Sequence, residues 1–273
     1  MRFEKWQALG NDYVIVEAGA LDTPLTPERI GRLCDRHTGV GADGVLLLSE
    51  PDERGYVARV RIFNPDGSEA ELSGNGVRQA ILYLRARGWT QSDRFSVQTI
   101  AGEIRPTILS STECSMDMGR ARLTSPDFPG GPPDGGGALT AGGRIWRFQH
   151  VSIGNPQCAI ALSDPAEVDA LDLSTLGPEI EHSALFPRRT NVSFFAPAGD
   201  GAIRARIFER GAGETLSSGT GACGAAVTHV LRGGDSPVTV RLDGGELQVD
   251  VEEDLHVDLT GWAVPVFRGE IED

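Results

Sequence analysis

Two serines open the same four-residue pattern, Ser73-Gly74-Asn75-Gly76 and Ser218-Gly219-Thr220-Gly221, and each pattern leads into a helix-like run, Val77 to Arg87 and Ala222 to Leu231. Serine is a favoured helix N-cap, and glycine leaves the N–H groups of a first turn open to a ligand. A helix N-terminus carries partial positive charge on those unpaired N–H groups, so each pattern is suited to hold an anion. One copy alone reads as a capped turn between a strand and a helix. Two copies at matched spacing point to two helix N-termini serving one small acidic ligand between two domains.

The matching extends beyond the serines. Arg61-Ile62-Phe63 and Arg206-Ile207-Phe208 stand 145 residues apart, as do Ser73 and Ser218, while Gly10-Asn11 and Gly154-Asn155 stand 144 apart. A chain of 273 residues that repeats once at half its length is a duplicated domain, because solenoid repeats run to roughly 20–50 residues. Each half reads as a β-prone run, an acidic and glycine-containing turn, the Ser-Gly-x-Gly pattern and one prominent helix.

The elements that must position these turns follow from local signals. Phe3 to Leu9 and Tyr13 to Glu17 read as strands about a Gly10-Asn11-Asp12 turn, and Thr26-Pro27-Glu28 opens a helix predicted over Pro27 to His37. Strands are predicted at Val45 to Ser49 and Val57 to Phe63, and a meander at Phe95 to Thr99, Glu103 to Leu109 and Glu113 to Met118, with Gly88 ending the first long helix. Ser125 to Gly143, rich in proline and glycine, reads as an exposed connection and a natural place for a domain crossing, although a long insertion in a hairpin would look the same. Beyond it come strands at Trp146 to Ile153, Asn191 to Phe195, Ile203 to Phe208, Val238 to Arg241, Glu246 to Val251 and Leu255 to Leu259, with short helices at Pro165 to Ala170 and Leu176 to His182.

The composition excludes several functions. A net charge of −14 without a long basic run argues against nucleic acid as a partner. No stretch approaches the roughly 18 apolar residues of a membrane span, and no leader-like segment opens the chain, so the expected setting is cytoplasmic. Cys34, Cys114, Cys158 and Cys223 lie far apart without a Cys-x-x-Cys pair, and the five histidines show no metal spacing, so no metal is expected. Gly219-x-Gly221-x-x-Gly224 matches the dinucleotide pattern G-x-G-x-x-G, but it sits ten residues beyond the nearest predicted strand, where that pattern should follow one directly.

Taken together, Gly10-Asn11-Asp12, Gly41-Ala42-Asp43-Gly44, Arg61-Ile62-Phe63-Asn64-Pro65-Asp66-Gly67-Ser68-Glu69, the two serine turns, Gly154-Asn155-Pro156, Asn191-Val192 and Glu209-Arg210-Gly211-Ala212-Gly213-Glu214-Thr215 resemble the diaminopimelate epimerases over nearly the whole chain. These are cofactor-independent amino-acid epimerases whose fold is shared with proline racemases and phenazine-biosynthesis isomerases. The resemblance implies an α+β fold of two pseudo-symmetric domains, each a curved β-sheet or barrel wrapped around a central α-helix. It places the first half at 1–117, completed by 263–273, and the second at 118–262. It implies a small amino-acid substrate, LL-2,6-diaminopimelate first, no cofactor, a place in the lysine and peptidoglycan precursor pathway, and a homodimer.

Residue by residue, the resemblance puts the carboxylate cradle at Gly74-Asn75 and Gly219-Thr220, the contacts to the non-reacting end at Asn64, Asn155, Asn191, Glu209 and Arg210, and Asn11 near the reacting end. The family's two catalytic cysteines align with Ser73 and Ser218, its histidine with Gln157, and a frequent further cysteine with Gln79, whereas Glu209, which aligns with the second cysteine's partner, is kept. A serine hydroxyl is far less acidic than a thiol of pKa about 8.5, and each further pKa unit costs about 1.4 kcal/mol in forming the base. Ser73, Ser218 and Glu209 are therefore the candidate catalytic set. Three outcomes stay open: a two-sided epimerase, a same-fold isomerase of another small acid using Glu209 alone, and a silent ligand-binding homologue. The serines themselves read either as trapping replacements or as natural drift, and Gln157 and Gln79 favour drift.

Overall fold

A computed structural model of the chain describes residues 1–70 and 73–272; Glu71 and Leu72, within the first turn stretch, and Asp273, the end of the expected completing segment, lie outside the described residues. The chain divides into two compact units, the first reaching to Asp117 and including the residues from Gly261 onward, the second running from Met118 to Thr260. Among the described residues no helix is long and apolar enough to cross a membrane.

In the first unit, strands β1 (Arg2–Ala8), β2 (Asn11–Glu17), β3 (Gly44–Ser49), β4 (Ala58–Phe63), β5 (Glu69–Ala70), β6 (Val97–Thr99) and β7 (Gly102–Ile104) are joined by helices α1 (Pro27–Cys34) and α2 (Gly74–Ala86). β8 (Pro106–Ile108) and β9 (Glu113–Arg120) follow as an antiparallel pair, and β19 (Val264–Glu270) returns at the end of the chain. The sheet order is β19-β1-β2-β3-β4-β6-β7, with β5 paired to β4, and β2 runs parallel to β3.

The second unit holds β10 (Gly136–Ala141), β11 (Arg144–Ser152), β12 (Pro156–Ala161), α3 (Pro165–Asp169), α4 (Leu173–Glu181), β13 (Asn191–Pro197), β14 (Ala202–Glu209), β15 (Gly213–Thr215), α5 (Gly219–Leu231), β16 (Val238–Leu242), β17 (Gly245–Val251) and β18 (His256–Trp262). Its strands run in the order β10-β11-β12-β13-β14-β16-β17-β18, with β15 paired to β14. Both sheets are open paths, so the expected α+β class stands while the barrel alternative does not: the strand order begins and ends on different strands instead of closing on itself. The Pro- and Gly-rich stretch from Ser125 is no crossing either. It lies wholly in the second unit, and its last part is β10, the hairpin partner of β11.

The two long helices are the centres of their units. Every residue of α2 from Asn75 to Leu84 is buried, and so is every residue of α5 from Gly221 to Thr228. A helix buried on all sides must be surrounded; α2 packs against β1 to β4, and α5 against β11 to β14 and β16 to β17. Both helices start at the glycine after the serine, three residues earlier than Val77 and Ala222. Glycine is a poor helix former, but each serine hydroxyl accepts an N–H from the first turn, Gly76 at 3.1 Å and Gly221 at 3.3 Å, and that cap outweighs the propensity.

Local signals elsewhere set boundaries in the same way. Thr26 caps α1 through the N–H of Arg29, but the helix stops at Cys34 instead of His37, because Asp35 turns its carboxylate onto the N–H groups of His37 and Thr38. The first hairpin turns at Leu9-Gly10, one residue before the expected position, with φ of 53° and 81°. Positive φ at both central residues suits the right-handed twist of the flanking strands, and complete burial of Leu9 offsets its strain. Gly88, with φ of 76°, ends α2 as expected, and Trp89 N donates to Leu84 O behind it.

Gly44 on β3 has no room for a side chain. A Cβ there would meet Phe63 O and lie 2.7 Å from Cε1 of Tyr13. Gly44→Val is expected to destabilise the protein by about 1–3 kcal/mol through overpacking. In urea titrations this reads as a lower midpoint at unchanged m-value.

Candidate active site

In the second unit the site is built where β14 ends and α5 begins. β15 folds back on β14 with Glu209 opposite Gly213, which carries Thr215 alongside the Glu209 carboxylate. Thr215 Oγ1 donates to Glu209 Oε1 at 2.8 Å, and Ser218 Oγ donates to Glu209 Oε2 at 2.9 Å. Burial pushes the Glu209 carboxyl above its ordinary value, against the opposing pull of those two hydrogen bonds. Ser218, only 3% exposed, thus links a carboxylate of raised pKa to the positive end of a buried helix. The arrangement can take a proton from the serine as that oxygen takes one from a ligand.

Around it the polar residues form short chains. Gln157 Nε2 donates to Asn155 Oδ1 at 2.6 Å, and Asn155 Nδ2 donates to Thr220 Oγ1 at 3.2 Å. Gln157 is fully buried and packs over Gly224, where an added Cβ would sit 2.8 Å from the Gln157 Cβ. Asn191 uses both ends of its amide on the main chain, donating to Pro156 O at 3.0 Å and accepting from Arg210 N at 2.9 Å. The Arg210 guanidinium is exposed, its Nη1 donating to Arg188 O at 3.3 Å.

In the first unit Ser73 caps α2 as Ser218 caps α5, but its hydroxyl meets a phenol. Tyr13 OH donates to Ser73 Oγ at 3.1 Å. Gln79 Nε2 donates to Asn11 O at 3.0 Å, and Asn11 Nδ2 donates to Asp43 Oδ2 at 2.8 Å. Asn64 Nδ2 donates to Ser68 Oγ at 2.9 Å, at the turn between β4 and β5. Asn75 is buried beneath the cap, its Oδ1 accepting from Arg78 Nη1 at 2.9 Å.

The structure therefore gathers Asn155, Glu209, Ser218, Gly219 and Thr220 at the head of α5, with Asn191 and Arg210 joined beside them. Asn11, Ser73, Gly74 and Asn75 belong to the corresponding region of the first unit, and Asn64 stands at its β4–β5 turn. Tyr13 and Thr215 escaped the sequence reading. The repeat held a signal for Tyr13: carrying the 144-residue offset two residues past Asn11 and Asn155 pairs Tyr13 with Gln157.

Other features of the sequence are occupied by packing. A Cβ on Gly221 would lie 2.6 Å from Cδ1 of Ile207, and Gly224 faces Gln157, so the second and third glycines of the dinucleotide-like pattern serve helix packing. All four cysteines are buried. Burial pushes the Cys34 thiol up to about 11 and that of Cys114 to about 12, and raises that of Cys158 as well, so none of these three supplies a thiolate near neutral pH.

Against known families, a model described as diaminopimelate epimerase matches residues 3–124 and 149–265. The chain is 43% identical to a diaminopimelate epimerase of Pelotomaculum thermopropionicum, covering 99% of this chain and 98% of that protein. It is 41% identical to one of Moorella thermoacetica, covering 99% of each. Among solved structures, a probable proline racemase from Agrobacterium radiobacter superposes with a TM-score of 0.70 at 16% identity, over 99% of this chain and 92% of that one. A phenazine biosynthesis protein from Bacillus anthracis does so with a TM-score of 0.69 at 17% identity, over 100% of this chain and 99% of that one. At such identities the superpositions speak to the fold.

The position of Glu209 also has a consequence for stability. Its folded pKa is raised, so its contribution is fully present below the unfolded value and is lost as pH rises through the folded one. Glu209→Gln is therefore expected to raise the thermal midpoint relative to wild type at about pH 8, with the difference shrinking or reversing at about pH 4, near the ordinary glutamate pKa. Paired melting curves at the two pH values measure it.

Proposed function

The chain belongs to the diaminopimelate epimerase family, and on that premise we propose that it removes and returns the proton at the Cα of LL-2,6-diaminopimelate or a closely related amino acid without a cofactor. The observation that carries this reading is the 2.9 Å hydrogen bond from Ser218 Oγ to Glu209 at the head of α5. An isolated alcohol is a poor base. One whose proton can pass to a buried carboxylate of raised pKa is a competent one, because the proton ends on the carboxylate and the serine is not left as an alkoxide. As the α-proton leaves, negative charge grows on the substrate carboxylate, and N–H groups at a helix start oppose it, those of Gly219 and Thr220 at the head of α5.

The remaining polar positions divide the recognition. Arg210 offers a planar fork to a distal carboxylate. Asn191 positions the main chain that carries Arg210, and Asn11, Asn64 and Asn155 supply further hydrogen bonds to the substrate. In this reading each of the halves 1–117 with 263–273 and 118–262 contributes one capped serine. A cytoplasmic setting and a homodimer accompany it, the homodimer resting on the resemblance.

The test is deuterium wash-in at Cα in heavy water. Wild type is expected to exchange with LL-2,6-diaminopimelate, and Glu209→Gln to lose on the order of 10²-fold or more of that rate. The Ser73→Cys/Ser218→Cys variant is expected to exchange on the order of tenfold faster, because thiols ionise near pH 8.5. A wild-type protein that binds the amino acid yet shows no exchange would be a silent homologue, and the reading would fall.

A further inference from the structure

The two capped serines differ in the direction of their hydrogen bonds. A hydroxyl has one proton and two acceptor lone pairs. Ser218 Oγ gives its proton to Glu209 and accepts one N–H, from Gly221. That leaves a lone pair for an incoming proton. Ser73 Oγ accepts twice, from Gly76 N at 3.1 Å and from Tyr13 OH at 3.1 Å. Both lone pairs are then engaged, and its own proton is directed away from both donors.

Tyr13 is held for this contact. It lies on β2 between Trp6 on β1 and Gly44 on β3, is 6% exposed, and its ring occupies the space that a Cβ on Gly44 would need. A ring fixed there keeps its hydroxyl on Ser73.

We propose that Ser73 and Tyr13 form a proton relay that serves as the acid of the reaction, opposite in role to the base formed by Ser218 and Glu209; the proposal rests on the epimerase reading above. In the return step the Ser73 Oγ–H bond breaks as the Cα–H bond forms. Ser73 Oγ recovers a proton from the Tyr13 hydroxyl, whose O–H bond breaks, and the tyrosinate regains a proton from water. In the opposite direction each transfer reverses, with tyrosinate accepting the proton that Ser73 takes from Cα. A phenol has a pKa of about 10, far below that of an alcohol, so the charge rests on Tyr13 and not on a serine alkoxide.

The experiment follows inversion and deuterium wash-in separately, starting from the LL and the meso isomers, in wild type, Tyr13→Phe and Tyr13→Phe/Ser73→Cys. Tyr13→Phe keeps the ring, and its melting temperature reports whether the packing survives. Inversion is expected to fall on the order of 10²-fold. Wash-in should persist near the wild-type rate from one isomer only, the one whose proton leaves through Ser218. The added thiol, needing no phenol, should restore inversion to within about tenfold of wild type. Inversion at the wild-type rate in Tyr13→Phe would overturn the relay while leaving the epimerase reading intact. So would equal loss of wash-in from both isomers without rescue by Ser73→Cys. A wild-type protein silent toward both isomers would remove the epimerase reading, and the relay with it.

Discussion

The serine N-cap is the constraint on which the rest of this structure depends. Each of the two central helices begins at a serine whose hydroxyl is tied to a first-turn N–H group, so the oxygen cannot leave the positive end of the helix. The helices in turn are fixed by burial, since the strands of each unit pack around α2 and α5. Each hydroxyl is thereby held by the same interaction that starts its helix. Losing such a cap costs roughly 1 kcal/mol.

Duplication supplies the frame, and divergence within it sets what each serine faces. Arg61 pairs with Glu69 through two hydrogen bonds of 2.9 and 2.7 Å, and Arg206, 145 residues later, pairs with Glu214 through bonds of 2.9 and 2.6 Å. Both pairs clamp the short hairpin that delivers the chain to its serine. Both central helices have thirteen residues. Against that likeness, Asn64 in the first half corresponds to Glu209 in the second, and Tyr13 corresponds to Gln157. The two capped serines therefore stand before unlike partners, a phenol at Ser73 and a carboxylate at Ser218.

The interior carries a cost for this arrangement. Gln79 and Gln157 are fully buried, and in each the side-chain oxygen has no hydrogen-bond partner among the described residues, while the nitrogen is engaged. A buried, unpaired acceptor costs about 1–3 kcal/mol. Glu209 adds the desolvation that raises its pKa. Glu209 lies at the head of α5, Gln79 within the body of α2, and Gln157 against Gly224 in the body of α5.

Much of this was legible in the sequence because its causes are local. A serine followed by glycines, a Thr-Pro-Glu helix start and a glycine of positive φ act within one turn of chain, and the repeat exposed the twofold plan. The motif residues likewise marked Ser218 and Glu209. Less legible was anything set by which strands become neighbours. The first hairpin turned at Leu9 because burial of its side chain outweighed a positive φ, and the sheets stayed open where a barrel was admitted. Asn191, expected to meet a ligand, has its amide bound to main chain brought alongside by the pairing of β12 with β13. Tyr13 and Ser73 lie 60 residues apart, and only the packing of α2 against the sheet that contains β2 brings the phenol to the hydroxyl. The sequence by itself determined the two capped helices and the carboxylate near one of them, since capping is a short-range matter. The tertiary structure decided what each hydroxyl faces and in which direction its proton points, because hydrogen-bond direction depends on partners distant in the chain.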